Sequence, residues 1–289
     1  MPDAGAMQLT ELVRQSYAGA ADPRTRAVLD VLITHLHAFV REAEVTFDEW
    51  QRAIDFLNRT GHMSSATRQE FILLSDVLGV SMLVDQLAHR GGTAATETTV
   101  LGPFYVGDHR VTPHGSDIAP SEPGDRVFVD ATIRDPAGRP IAGATADVWH
   151  ADAGGRYDSQ RPGYALGEPA MRARFVAGDD GRFYFRTIVP RSYPVPTDGP
   201  VGELVRAGGR HAMRPAHIHF LLRAPGFEDV VTHLFVAGDP YLASDAVFGV
   251  KPSLIARLET RDEATWPDGT LAPPRWYRMA YQFTMRGAS

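Results

Sequence analysis

The chain contains no cysteine, so disulfides, thiolate-held zinc, iron–sulfur clusters and a cysteine nucleophile are all excluded. Any metal bound here must be held by nitrogen and oxygen. There is no run of lysine and arginine, and the net charge is −6, which argues against nucleic acid or an anionic membrane as partner and favours a small molecule. Nor is there an apolar stretch long enough to cross a bilayer, because the longest, residues 71–84, is broken by Ser75, Asp76 and Gly79. The opening MPDAGAMQLTELVRQ lacks a basic segment followed by an apolar core, so no secretory signal is read there and a cytoplasmic location is expected. Internal repeats and low-complexity tracts are also missing. What is present is a 289-residue chain with 44% hydrophobic residues, enough for one large domain or two modest ones.

Two grammars divide it. Residues 8 to 90 read as helical, with Leu29, Leu32, Ile33, Leu36, Phe39 and Val40 at helical spacing. Thr46-Phe-Asp-Glu49 and Thr67-Arg-Gln-Glu70 match the capping-box pattern. Three or four helices with an apolar stripe must cover the following domain or pair with another subunit. At Gly91-Gly-Thr-Ala-Ala-Thr96 small and polar residues take over, and short strands broken by Gly, Pro and Asp follow. Residues 125–132 and 144–149 alternate, Asp135-Pro-Ala-Gly138 is a turn, and Asp180-Gly181 is a hairpin signal between Phe175 and Phe183. With no helical segment between the strands, the expected architecture is an antiparallel β-sandwich. The fold class is therefore α+β: a helical domain over residues 1–92, then a sandwich over residues 93–289.

Arg214-Pro-Ala-His-Ile-His-Phe-Leu-Leu-Arg-Ala224 is the stretch that carries chemistry. It reads as a strand from Ala216 onward, with Pro215 at its start. Alternation puts His217, His219, Leu221 and Arg223 on one face and Ala216, Ile218, Phe220 and Leu222 on the other, toward the core. The two imidazoles stand about 7 Å apart along the strand, close enough for one metal ion, although such pairs also occur where both histidines only hydrogen-bond. A carboxylate from Asp147, Asp152 or Asp229 would complete a ferrous facial triad. Tyrosine offers a second completion, because phenolate is a hard anionic donor suited to ferric iron. Tyr193 lies among three prolines in Val189-Pro-Arg-Ser-Tyr-Pro-Val-Pro196, and Tyr157 follows Gly154-Gly-Arg156. Loop tyrosines also serve as ordinary packing residues.

The series Thr99-Val-Leu-Gly-Pro-Phe-Tyr105, Ala146-Asp-Val-Trp-His-Ala-Asp152 with Gly155-Arg-Tyr157, Ile188-Val-Pro-Arg-Ser-Tyr193 and Arg214-Pro-Ala-His-Ile-His-Phe220 closely resembles the intradiol ring-cleavage dioxygenases. These are non-haem iron(III) enzymes that open catechols between their hydroxyls with O2. The resemblance implies one Fe(III) per chain, held by Tyr157, Tyr193, His217 and His219. It implies two catalytic residues: Tyr193, which leaves the metal and takes a substrate proton, and Arg214, which stabilises developing charge. Tyr164 and Tyr184 would then only pack, and His150 would fall outside the ligand set. It further implies that the helical domain builds a homodimer, and that a lipid can occupy the dimer interface. No organic cofactor is required.

Within that family, residues 231–251 look like the hydroxyquinol branch, and His233 stands where catechol-cleaving relatives commonly have glutamine. The expected substrate is hydroxyquinol, benzene-1,2,4-triol, opened to 3-hydroxy-cis,cis-muconate, the enol form of maleylacetate. Asp76 and His233 are candidate partners for the third hydroxyl, with Leu73 and the turn Val100, Leu101, Gly102, Pro103 and Phe104 as apolar walls. Catechol or a chlorocatechol is the alternative substrate. From another class, the stretch from Asp130 to Val148 also resembles prealbumin-like modules that only bind; such a module would have no reason to carry the ordered Tyr, Tyr, His-X-His set.

Overall fold

The computed structural model describes residues 4–65, 68–89, 95–107, 110–161 and 170–288. Thr67 of the second capping box, Gly91 to Ala94 at the expected domain boundary, and Tyr164 lie outside the described residues. The chain forms two compact units, Met1–Arg59 and Thr60–Ser289.

The first unit is helical: α1 (Ala4–Ser16), α2 (Pro23–Glu42) and most of α3 (Phe47–Met63). Asp22 caps α2 by accepting from Thr25 N at 2.7 Å, with Pro23 in the first turn where its missing N–H costs nothing. At the start of α3 the capping box forms as read: Thr46 N donates to Glu49 Oε2 at 2.9 Å and Glu49 N to Thr46 Oγ1 at 3.3 Å. Of the α2 stripe only Ile33 is buried, whereas Leu32, Leu36, Phe39 and Val40 are exposed.

In the second unit α4 (Glu70–Val77) and α5 (Val80–Ala88) meet at a bend of 76°. No single helix among the described residues is long and apolar enough to cross a membrane. The strands are β1 (Arg126–Arg134), β2 (Thr145–His150), β3 (Arg172–Val176), β4 (Arg182–Ile188), β5 (Tyr193–Pro194), β6 (Met213–Arg214), β7 (His217–Arg223), β8 (Val230–Val236), β9 (Ile255–Ala256), β10 (Glu259–Arg261) and β11 (Trp276–Thr284). They make a five-stranded sheet β3-β2-β7-β8-β9, a four-stranded sheet β10-β11-β1-β4, and the small ribbon β5-β6. Ala216, Ile218, Phe220 and Leu222 join the main core with Val127, Val129, Phe183, Phe185 and Phe283, so the alternation read from the sequence assigns the core face of β7 correctly.

Three expectations about the sandwich need correction. The sheets are mixed and not purely antiparallel, since β1 pairs β11 and β8 pairs β9 in parallel. Long excursions separate both pairs in sequence, and a parallel partner needs a crossover where an antiparallel one needs only a turn. A helix does intervene among the strands, α6 (Pro200–Ala207) between β5 and β6. The Asp180-Gly181 turn does not close a hairpin either, because β3 and β4 belong to different sheets and the turn is a corner between them.

At the end of β2 His150 is fully enclosed. Its Nδ1 faces the Ala151 carbonyl oxygen at 2.8 Å and its Nε2 the Thr187 hydroxyl at 2.7 Å. A carbonyl only accepts, so Nδ1–H donates to it and the hydroxyl donates to Nε2. Burial pushes this imidazole from 6.5 down to about 4. Below pH 6.5 the unfolded chain therefore takes up a proton that the fold refuses until about pH 4. Its share of stability is complete above that window and is lost as pH falls through it, a loss of about 3 kcal/mol. The urea midpoint is expected to drop between pH 7 and pH 4.5, and to drop less in His150→Gln. Equal drops in the two proteins would show that His150 does not set the slope.

Candidate metal centre and its pocket

Four side chains from three parts of the second unit converge. The first two are His217 and His219 on the site-facing side of β7. Tyr157 arrives from the turn after β2, where Asp152 N donates to Arg156 O. Gly155 in that turn has φ +79°, and a Cβ there would lie 2.7 Å from Tyr193 Cβ, so only glycine lets the two tyrosines approach. Tyr193 is not held by prolines alone. It pairs across the β5-β6 ribbon with Arg214, which fixes the fourth side chain beside the arginine.

The polar tips crowd one point. Tyr157 Oη lies 2.8 Å from His219 Nε2, 3.1 Å from Tyr193 Oη and 3.4 Å from His217 Nε2. The two Nε2 atoms are 3.2 Å apart, and Tyr193 Oη is 3.5 Å from His217 Nε2. Donors each about 2.0–2.1 Å from a common ion stand roughly 3 to 3.5 Å from one another, so the spacing suits a single small cation. His217 Nδ1 sits 2.6 Å from the Pro215 carbonyl oxygen, which puts its proton there and a bare lone pair on Nε2.

All four residues are buried, and burial sets their charge. It holds the Tyr157 phenol well above its usual range and also raises that of Tyr193. It lowers His217 to about 3 and His219 well below 6.5. Two neutral imidazoles and two phenols are therefore what the fold presents, and a highly charged cation would drive both phenol protons off. The carboxylates that would make a facial triad are engaged elsewhere: Asp147 with Arg174 at 2.5 Å, Asp152 with Arg161 at 2.8 Å, Asp229 with Arg223 at 3.0 Å. Among the described residues the one group of acids and histidines close enough for a metal is His217, His219 and His233. His233 cannot share an ion with the front nitrogen of His219, because its Nε2 lies 2.7 Å from the rear nitrogen, Nδ1.

A pocket opens on this cluster, lined by Leu73, Asp76, Val100, Gly102, Pro103, Phe104, Tyr193, Val195, Pro196, Arg214 and Val247. Phe104 stacks on Tyr157 at 4.4 Å between ring centres. Arg214 is buried, with Nη1 3.4 Å from His217 Nε2 and Nε 3.2 Å from Asp245 Oδ1. Burial works against its charge, and the Asp245 carboxylate outweighs that and keeps it a cation. Asp76 Oδ1 is buried with no hydrogen-bond partner, and burial pushes that carboxyl's pKa up.

Two expected pocket residues are misplaced. Leu101 is 38% exposed and does not line the pocket, although its neighbours Val100 and Gly102 do. His233 lies behind His219 with both ring nitrogens engaged, Nδ1 at 3.0 Å from Thr99 Oγ1, and so has nothing to offer a substrate hydroxyl. Tyr184 packs as expected, stacked on Phe128 under the Arg182 guanidinium. Sequence reading missed Asp245, whose link to Arg214 spans 31 residues, and Trp149, whose ring stacks on His219 at 4.6 Å. Neither has a local signal.

Comparison with known proteins accords with this geometry. Residues 101–287 match the family described as Dioxygenase and residues 22–96 the Catechol dioxygenase N terminus. The chain is 46% identical over 277 residues to a 6-chlorohydroxyquinol 1,2-dioxygenase of Cupriavidus pinatubonensis, covering 96% of both proteins. It is 48% identical to a hydroxyquinol 1,2-dioxygenase of a Rhizobium species, over 84% of this chain and 82% of that one. The crystal structure of hydroxyquinol 1,2-dioxygenase from Pseudomonas putida superposes with a TM-score of 0.92 at 43% identity, covering 99% of each chain. With two family models and relatives of this similarity along nearly its whole length, the chain belongs to the intradiol ring-cleavage dioxygenases, among their hydroxyquinol-type members.

Proposed function

We propose that this enzyme binds one Fe(III) per chain through Tyr157, Tyr193, His217 and His219 and cleaves hydroxyquinol with O2 to 3-hydroxy-cis,cis-muconate. The observation that carries the reading is the convergence of two phenol oxygens and two Nε2 atoms within 3.5 Å of their neighbours, in a pocket that also holds an unpartnered carboxyl oxygen. Ferric iron held by that set would supply Lewis-acid chemistry, drawing electron density from a bound diol so that a ring carbon becomes open to O2. The chain's own groups do the rest. The phenolate oxygen of Tyr193 takes a proton from a substrate hydroxyl, and its neighbour Arg214 holds a fixed positive charge against the negative charge that grows on the ring oxygen. Val195, Pro196, Val247 and Phe104 keep water from the ring. Both oxygen atoms end in the two carboxyl groups of the product.

Asp76 Oδ1 is the partner we assign to the third hydroxyl, since a buried acceptor left unpaired costs roughly 1–3 kcal/mol and gains most from a ligand that fills it. Oxygen uptake with catechol, chlorocatechols and hydroxyquinol, with products identified, tests the whole reading. Asp76→Leu is expected to cut kcat/KM for hydroxyquinol roughly 10- to 100-fold and to change that for catechol little. A wild-type preference for plain catechol would remove the substrate assignment and leave the reaction class.

The remaining proposals concern assembly. We keep a functional division into residues 1–92 and 93–289, with α4 lending Leu73 and Asp76 to the pocket. The exposed apolar residues of the first helices, Leu9, Leu12, Leu32, Leu36, Phe39 and Trp50 among them, support a homodimer built through these helices, since so much exposed apolar side chain is rarely left in water. Light scattering that found an active monomer at micromolar concentration would end that proposal. A lipid on the same helices would be seen by mass spectrometry of an organic extract, and a cytoplasmic location is checked by cell fractionation.

A further inference from the structure

The two histidines of the cluster are supported from behind in different ways. His217 Nδ1 donates to the Pro215 carbonyl, a group that can only accept, so its proton and its ring orientation have a single solution. His219 Nδ1 faces another imidazole, His233 Nε2 at 2.7 Å, and His233 Nδ1 faces the Thr99 hydroxyl at 3.0 Å. Every member of that second chain can either donate or accept. Run one way, Nδ1–H of His219 donates to His233, whose own Nδ1–H donates to Thr99 Oγ1, and His219 Nε2 is a bare lone pair. Run the other way, the proton sits on His219 Nε2 and blocks ligation.

We infer that His233 and Thr99 are positioning residues that hold His219 as a metal ligand and tie it to the pocket wall. The inference rests on the ligand reading proposed above. Thr99 immediately precedes the turn whose Val100, Gly102, Pro103 and Phe104 line the pocket, and its own N–H donates to Val231 O at 2.8 Å on β8. In the middle of the turn, a Cβ added to Gly102 would lie 3.3 Å from His219 Cε1. β8 also carries His233, in register with His219 on β7. One hydrogen-bonded chain therefore connects the metal-facing nitrogen of His219, through His233 and Thr99, to the segment that shapes the substrate's space. This accounts for a histidine that is 0% exposed and uses both nitrogens. Support of this kind behind a ligating histidine is worth about 10- to 100-fold in metal affinity.

The test is retention of iron by purified protein against a competing chelator, read together with the visible absorption band. His233→Leu removes the acceptor for His219 Nδ1–H, and its iron affinity should fall about 10- to 100-fold with a shifted band. His233→Gln should restore affinity to within a few-fold, because the amide oxygen accepts from His219 while its NH2 donates to Thr99. Thr99→Val should lie between the two, and it carries the test alone if the leucine variant fails to fold. Affinity unchanged in both His233→Leu and Thr99→Val overturns the inference. A glutamine variant as weak as the leucine one overturns it too, since His233 would then act as an imidazole and not as a relay. Tyr157→Phe, run alongside, separates the causes: if it binds iron normally, the ligand reading itself has failed.

Discussion

Tyr157→Phe is expected to purify colourless and with almost no iron. Tyr157 Oη is the hub of the cluster, within 3.4 Å of the other three polar tips, so its removal takes away a donor that lies close to each of the others. On the proposed ligand set it also takes one of two anionic ligands from a site that would have to balance a trivalent ion without a carboxylate ligand. Losing a partner behind a ligand costs up to about 100-fold in affinity, and losing the ligand should cost more. The contrast is Tyr193→Phe, which keeps Tyr157 and both histidines; it should retain iron with an altered absorption band and lose turnover, because the proposed proton acceptor is gone. Metal analysis and a visible spectrum decide the matter. A red Tyr157→Phe protein with a full complement of iron would mean that the tyrosine was wrongly chosen.

Arg214→Ala is expected to lose roughly 10²-fold or more in kcat while its iron content holds. The guanidinium stands 3.4 Å from His217 Nε2 and lines the pocket, where, in the mechanism proposed above, a fixed cation would act on charge that forms only as the ring is attacked. The substitution has a second consequence. It leaves the Asp245 carboxylate, 4% exposed, without its counter-ion, and breaking a buried pair from one side costs about 3–5 kcal/mol. Reduced stability could therefore be mistaken for reduced chemistry. Pairing Arg214→Ala with Asp245→Asn removes the stranded charge. The double variant should recover much of the lost thermal stability and none of the lost turnover. If turnover returns with stability, Arg214 is structural.

Local pattern was enough for several features. Period-two alternation in residues 216–223 told which side of β7 is core, because a strand has only two faces and Ile218, Phe220 and Leu222 cannot stay in water. The absence of cysteine restricted any metal to nitrogen and oxygen donors. Thr46 and Glu49 announced the start of α3 because a capping box is closed within four residues.

Everything that depended on which distant segments meet was decided by the tertiary structure. Tyr157 and His217 are 60 residues apart in sequence, and only the resemblance to a family linked them in advance. His233 read as a pocket residue because the resemblance sets it where relatives carry a different polar side chain, which gives its place in the chain but not what stands in front of it; in the fold, His219 does. Leu101 read as wall because its neighbours are. The parallel pairing of β1 with β11 and the sheet-to-sheet corner at Asp180-Gly181 escaped notice for the same physical reason. A strand's hydrogen-bonding edges carry no mark of their partner, and the choice is made by burial of side chains contributed by the whole chain.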